Sequence, residues 1–109
     1  MRGGLVLVSV DPSSNRWRFF ALAIEPQGSA ARLVVRWGRL GTDGRRDEQH
    51  FASMADAEAE RARLLALRAR RGYVVADERA LARARRALGA YRAAHRAPGQ
   101  LAFPAAAGF

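Results

Sequence analysis

The sequence has no cysteine and no lysine, two histidines, and no long apolar run. Without cysteine there is neither a disulfide framework nor a thiolate metal site. His50 stands close to Asp47 and Glu48, and His95 stands alone, a set too sparse for a metal centre. Without lysine there is no P-loop, and the glycine-rich pieces do not form a GxGxxG pattern. No Ser/His/Asp set stands out, and Ser53 reads as a helix cap rather than a nucleophile. No enzymatic activity, cofactor or metal is therefore expected. The run Leu5–Val10 is shorter than a secretory segment and leads straight into Asp11. Nothing approaches the roughly 18 apolar residues that a membrane span needs. The expectation is a soluble, cytoplasmic protein.

What is there is arginine. The chain of 109 residues is long enough for one domain with one modest core, and it carries a formal net charge of +9 with all 19 basic residues arginine. The choice of arginine over lysine fits an alanine-rich sequence from a G+C-rich genome, but that bias does not explain where the charge lies. Residues 1–60 hold eight arginines and eight acids, whereas residues 61–109 hold eleven arginines and two acids, Asp77 and Glu78. A one-sided basic surface is the electrostatic footprint of polyanion binding. A membrane surface is disfavoured, because the basic C-terminal segment lacks a broad face of bulky apolar residues.

The first half reads as strands. Leu5–Val10 is followed by the turn formers Asp11-Pro12-Ser13-Ser14-Asn15. In Trp17–Ile24, Arg18, Phe20, Leu22 and Ile24 share one face, and Trp17, Phe19, Ala21 and Ala23 the other. Pro26-Gln27-Gly28-Ser29 is expected to end that strand. In Arg32–Trp37, Leu33, Val35 and Trp37 alternate with Arg32, Val34 and Arg36; Gly41-Thr42-Asp43-Gly44 turns the chain, and Arg46–Phe51 pairs back. Ser53 then caps a helix over about Met54–Arg71, stopped by Gly72. Tyr73-Val74-Val75 is a short return strand, and Asp77 caps a second helix, Glu78–His95. The fold class expected is α+β: a twisted antiparallel sheet of four to five strands with one packed helix, plus an appended C-terminal helix. The expected division is a domain over 1–76, an amphipathic helix over 77–96 and an apolar Pro/Ala-rich tail over 97–109. The stripe Leu81, Ala84, Leu88, Tyr91 should pack either on the domain or on a second copy.

An ordered set of residues resembles the WGR domain family. Asn15 precedes Arg18-Phe19-Phe20; then come Arg36-Trp37-Gly38-Arg39-Leu40-Gly41, Gly44, Phe51, Ala57 and Arg68-Ala69-Arg70-Arg71-Gly72-Tyr73. The likeness covers about residues 5–75, and the chain departs from the family pattern at Arg61, where an apolar residue is usual. The resemblance implies a twisted antiparallel sheet with one packed helix. In poly(ADP-ribose) polymerases this domain binds DNA at strand ends and breaks. There the tryptophan packs on the terminal sugar, while the arginine helps to hold the 5′ phosphate and relays contacts between domains. Those roles fall by resemblance on Trp37 and Arg39. The chain has no room for a transferase domain, so no NAD chemistry is carried over.

The residue types agree with that implication. In an extended stretch Trp37 and Arg39 share a face, one offering a flat apolar surface and the other a bidentate phosphate fork. Gly38 between them would let a nucleic-acid backbone come close. The alternative is that Trp37 is a core residue and Arg39 a turn cap. Tyr73 is either a core aromatic or a rim contact; Arg68, Arg70 and Arg71 are either a solvated helix end or a phosphate-tracking patch. The candidate nucleic-acid site is Trp37, Gly38 and Arg39 with Asn15, Arg18, Arg36, Arg45, Arg71 and Tyr73, Arg36 being the weakest because alternation puts it on the opposite face. Two functions follow. The first is a nucleic-acid-binding module that favours DNA over RNA and prefers ends or breaks. The alternative is a protein-interaction module using the same Trp/Arg surface, with a partner or homodimer formed through residues 77–96.

Overall fold

The computed structural model describes residues 4–96; the expected tail over 97–109 lies outside them. In chain order the elements are β1 (Leu5–Asp11), β2 (Arg16–Gln27), β3 (Ala30–Arg39), β4 (Arg45–Phe51), α1 (Met54–Arg70), β5 (Val74–Val75) and α2 (Glu78–Ala94), with a 3₁₀ turn over Pro12–Ser14. The strands form one antiparallel sheet in the order β4-β3-β2-β1-β5. Sequence-adjacent strands pair through short turns, and β5 returns to the free edge of β1, with Leu7 opposite Val75.

Both faces of the sheet are covered, and the period-two pattern of β2 is the reason. On one face Phe20 and Leu22 join Leu7, Leu33, Val35 and Tyr73, and Leu64 and Leu65 of α1 pack on them. On the other face Trp17, Phe19 and Ala21 join Val8 and Leu40, and Leu81, Ala84, Leu88 and Tyr91 of α2 pack there. The α2 stripe is therefore engaged with its own sheet. Leu88 retains 2% of its exposure, so its burial contributes about 1.5–3 kcal/mol.

The helix ends are set by local chemistry. Ser53 Oγ accepts from the Asp56 amide at 3.1 Å, and Asp77 Oδ1 accepts from the Ala80 amide at 2.8 Å. α1 ends in a Schellman turn. The Gly72 amide donates to Ala69 O at 3.1 Å and the Tyr73 amide to Arg68 O at 3.0 Å, with Gly72 at φ +87.

β2 and β3 run further than the sequence reading, β3 spanning Ala30–Arg39 rather than Arg32–Trp37. β2 does not stop before Pro26 but runs to Gln27, which lies opposite Ala30, leaving Gly28-Ser29 as the turn. β1 begins opposite Leu22, so beyond it β2 has no strand partner on that side among the described residues. A proline is tolerated at such an edge.

Candidate functional site

The site lies at the end of the sheet where the β1–β2 turn, the start of β2 and the end of β3 meet. Asp11 builds the turn: Ser13 Oγ donates to Asp11 Oδ1 at 2.6 Å and Ser14 Oγ to Oδ2 at 2.9 Å. These bonds hold the Asp11 carboxyl below its ordinary range. The turn ends on Asn15 in the left-handed region, φ 50 and ψ 41, which asparagine tolerates better than most residues. From there Asn15 meets β3, and Arg39 Nη2 donates to Asn15 Oδ1 at 3.0 Å.

Strand register gathers the rest. Arg18 lies opposite Arg39, Phe20 opposite Trp37, and Trp37 opposite Arg45. Cross-strand partners share a face, so these side chains stand on the α1 side of the sheet. Like charges facing each other across strands are destabilising, by the same order as favourable pairs stabilise, about 0.2–1 kcal/mol, and an anion between them would relieve that. From α1, the Schellman turn returns Tyr73 to the sheet, where it meets Phe20 edge-on at 6.4 Å. The Arg68 guanidinium lies 4.2 Å from the Phe20 ring centre and 5.4 Å from that of Tyr73.

Together these residues enclose an open cavity of about 580 Å³. Ser14 and Asn15 form one lip; Arg16, Arg18, Arg39 and Arg68 supply four guanidinium groups; Trp37 and Tyr73 supply aromatic surface, and Trp17, whose ring packs on the α2 face, and Gly38 complete the wall. No carboxylate lines it. Elsewhere Arg32, Arg36, Arg46 and Arg63 are paired with acids, whereas none of the cavity arginines has an acidic partner among the described residues. Three buried side-chain donors lack a partner among the described residues, Arg16 Nε, Trp17 Nε1 and Arg68 Nε, and all three belong to residues lining this cavity. A buried donor left unpaired costs about 1–3 kcal/mol, which an oxygen-rich anion entering the cavity would recover at Arg16 and Arg68; the Trp17 ring lies on the α2 side of the sheet.

Of the residues singled out from sequence, Asn15, Arg18, Trp37, Gly38, Arg39 and Tyr73 line the cavity. Arg45 adjoins Trp37 across the strands but does not line it. Arg71 is exposed at the cap of α1, outside the lining. Arg36 stands on the α2 face, 5.9 Å from the Phe19 ring centre, with Nη2 donating to Asp43 O at 2.8 Å. Trp37 and Tyr73 both pack with the α1-side core and line the cavity. Gly38 has a structural reason beyond the one expected. A Cβ there would lie 2.8 Å from Gly44 Cα, and one on Gly44 would lie 2.3 Å from Trp37 O. The bare backbone serves closure of the turn on itself, and Gly38 also lines the cavity.

The candidate set from sequence omitted Arg16, and it left Arg68 open between a solvated helix end and a phosphate-tracking patch. Arg68 had a signal: it stands three residues before the cap of a helix stopped by Gly72, the position a Schellman turn brings against Tyr73. Arg16 had none. Among the described residues no group of three or more His, Asp or Glu is placed to hold a metal, and no helix is long and apolar enough to cross a membrane.

Comparison with known proteins supplies the context for this cavity. The family model described as the WGR domain matches residues 4–80. The uncharacterized protein y4dW of Sinorhizobium fredii is 38% identical over 71 residues, which cover 63% of this chain and 34% of that protein. A crystal structure of a Bacteroides fragilis protein superposes with a TM-score of 0.58 at 29% identity, over 72% of this chain and 20% of the other. The chain thus spans about a third of the length of the first relative and a fifth of the second.

Proposed function

The chain belongs to the WGR domain family, and from that premise we propose that it is a nucleic-acid-binding module whose ligand is DNA, held at an end or break in the arginine-lined cavity. The observation that carries the reading is the cavity itself: four arginines without a carboxylate and unpaired N–H donors, beside half-buried Trp37. Guanidinium groups bind phosphate oxygens in a bidentate manner, and an indole surface packs on a sugar or a base. A strand terminus offers both at one point, which an internal stretch of duplex does not. On this reading Arg39 and Arg18 hold phosphate, Trp37 packs on the terminal nucleotide, and Asn15 orients Arg39. The module binds without catalysing, and it works in the cytoplasm alongside DNA.

A binding titration against blunt duplex, nicked duplex, closed circular DNA and RNA, at two salt concentrations, tests this. The proposal expects the tightest binding to blunt or nicked duplex, with affinity falling steeply as salt rises. Equal affinity for closed circular DNA would refute the end preference. Absence of binding to every nucleic acid would refute the reading and leave a protein partner as the ligand of the same surface.

A further inference from the structure

We propose that α2 carries a second phosphate-contacting surface for duplex DNA, continuing from the cavity around the turn that follows Arg39; this rests on the nucleic-acid reading above. Residues 78–96 hold six arginines and one acid, Glu78, and every one of those arginines is exposed. None has an acidic partner among the described residues. The family match ends at residue 80, so most of this helix lies beyond the shared domain.

Its position is fixed relative to the cavity. Trp17 lines the cavity on one side of the sheet, and its ring packs against Tyr91 of α2 with centres 5.4 Å apart. Leu88 and Leu40 share the same core cluster. Gly41, two residues beyond Arg39, is bare towards α2: a Cβ there would lie 3.6 Å from Leu88 Cδ2 and 3.7 Å from Arg92 Nη2. The Arg92 guanidinium therefore lies over the turn that presents Arg39. Two helical turns earlier Arg85 lines a groove of about 480 Å³ with Arg36 and the turn residues Gly41, Thr42 and Asp43. Residues seven apart on a helix stand about 10 Å apart along its axis on nearly one face. Arg39, Arg92 and Arg85 thus mark a basic path from the cavity to the opposite face of the sheet, interrupted by one exposed acid, Asp43, which is drawn towards Arg36 at 4.0 Å. The chemistry suits the sugar-phosphate backbone of the duplex inward from its end: repeated charge, no base-specific feature, and exposed guanidinium groups free to follow phosphates.

The test compares Arg85→Gln/Arg92→Gln with Arg61→Gln/Arg63→Gln, a pair on α1 that removes the same charge away from the path. Both are titrated against blunt duplex and closed circular DNA at several salt concentrations, after thermal unfolding has shown them folded. The α2 pair should weaken binding to both DNAs by roughly tenfold and make the salt slope shallower by about two counterions. The α1 pair should change neither by more than a small factor, and Arg85→Lys/Arg92→Lys should keep most of the slope. Parent-like affinity and slope in the α2 pair overturns the proposal, as does an equal loss in the α1 pair, which would mark a net-charge effect. These failures differ from failure of the underlying reading, in which the parent itself binds no nucleic acid.

Discussion

Gly44→Ala should loosen the turn that presents Arg39, and the size of its effect can be worked from two clashes. The added methyl would lie 2.3 Å from Trp37 O and 2.9 Å from Phe19 Cζ, with φ at +70. The positive φ alone costs an alanine about 1–2 kcal/mol. Forcing a methyl into filled space costs a further ~1–3 kcal/mol. Gly28→Ala separates the two contributions, because Gly28 has φ +64 but nothing within 4 Å of its would-be Cβ. The expected losses are therefore roughly 1–2 kcal/mol at Gly28 and 2–5 kcal/mol at Gly44. Urea and thermal unfolding followed by tryptophan fluorescence read both. For a domain of this size each kcal/mol corresponds to about 4–8 °C in Tm. Gly44→Ala should unfold several degrees below Gly28→Ala. Equal losses would show that the Trp37–Gly44 approach does not close the turn as described.

Three further outcomes follow from the same structure. Leu88→Ala, at a position 2% exposed between α2 and Trp17, should lower stability by about 2–5 kcal/mol in a denaturant titration, and a loss below about 1 kcal/mol would mean that α2 is not held on the sheet. Trp37→Ala should weaken binding to DNA ends while leaving the salt slope unchanged, because packing on a sugar or base releases no counterion. The carboxyls of Asp11, bonded by Ser13 and Ser14, and of Glu48, bonded by Arg46, titrate below their ordinary range. Their contribution is complete above the unfolded-state value and is lost as pH falls through the depressed folded-state value. Acid unfolding of Asp11→Asn/Glu48→Gln should accordingly show a flatter stability–pH profile than the parent below the ordinary carboxylate range.

Much of the fold was legible because local and tertiary preferences agree. The alternation in Trp17–Ile24 and Arg32–Trp37 assigns each side chain to the face it occupies, and Ser53, Gly72 and Asp77 act as the caps and stop their types suggest. The stripe on α2 could be read, but not the surface beneath it, since periodicity marks which face of a helix is apolar and says nothing of what covers it. The alternation already set Trp17, Phe19 and Ala21 on a second apolar face, but only the tertiary packing shows that α2 covers it. The centre of the candidate site, Trp37, Arg39, Arg18 and Asn15, was named from the family resemblance, and the structure places all four at one cavity. Arg16 and Arg68 join it through a strand start and a helix end that are distant in sequence. The close approach of Gly38 to Gly44 could not be read from the sequence, because it depends on how the turn closes in space.

The central claim is that the cavity at the Trp-Gly-Arg turn holds a DNA terminus, and Arg39→Ala measured against the parent on blunt-ended duplex tests it most directly. Arg39 is exposed, its contacts in the chain are with Asn15, and its removal deletes no core packing. A charge-assisted hydrogen bond to phosphate is worth about 1.5–3 kcal/mol, so affinity should fall by roughly tenfold or more. Its salt slope should become shallower by about one counterion, and the preference for ends over closed circular DNA should shrink. A folded Arg39→Ala protein that binds DNA ends with the parent's affinity and the parent's salt slope would contradict the claim.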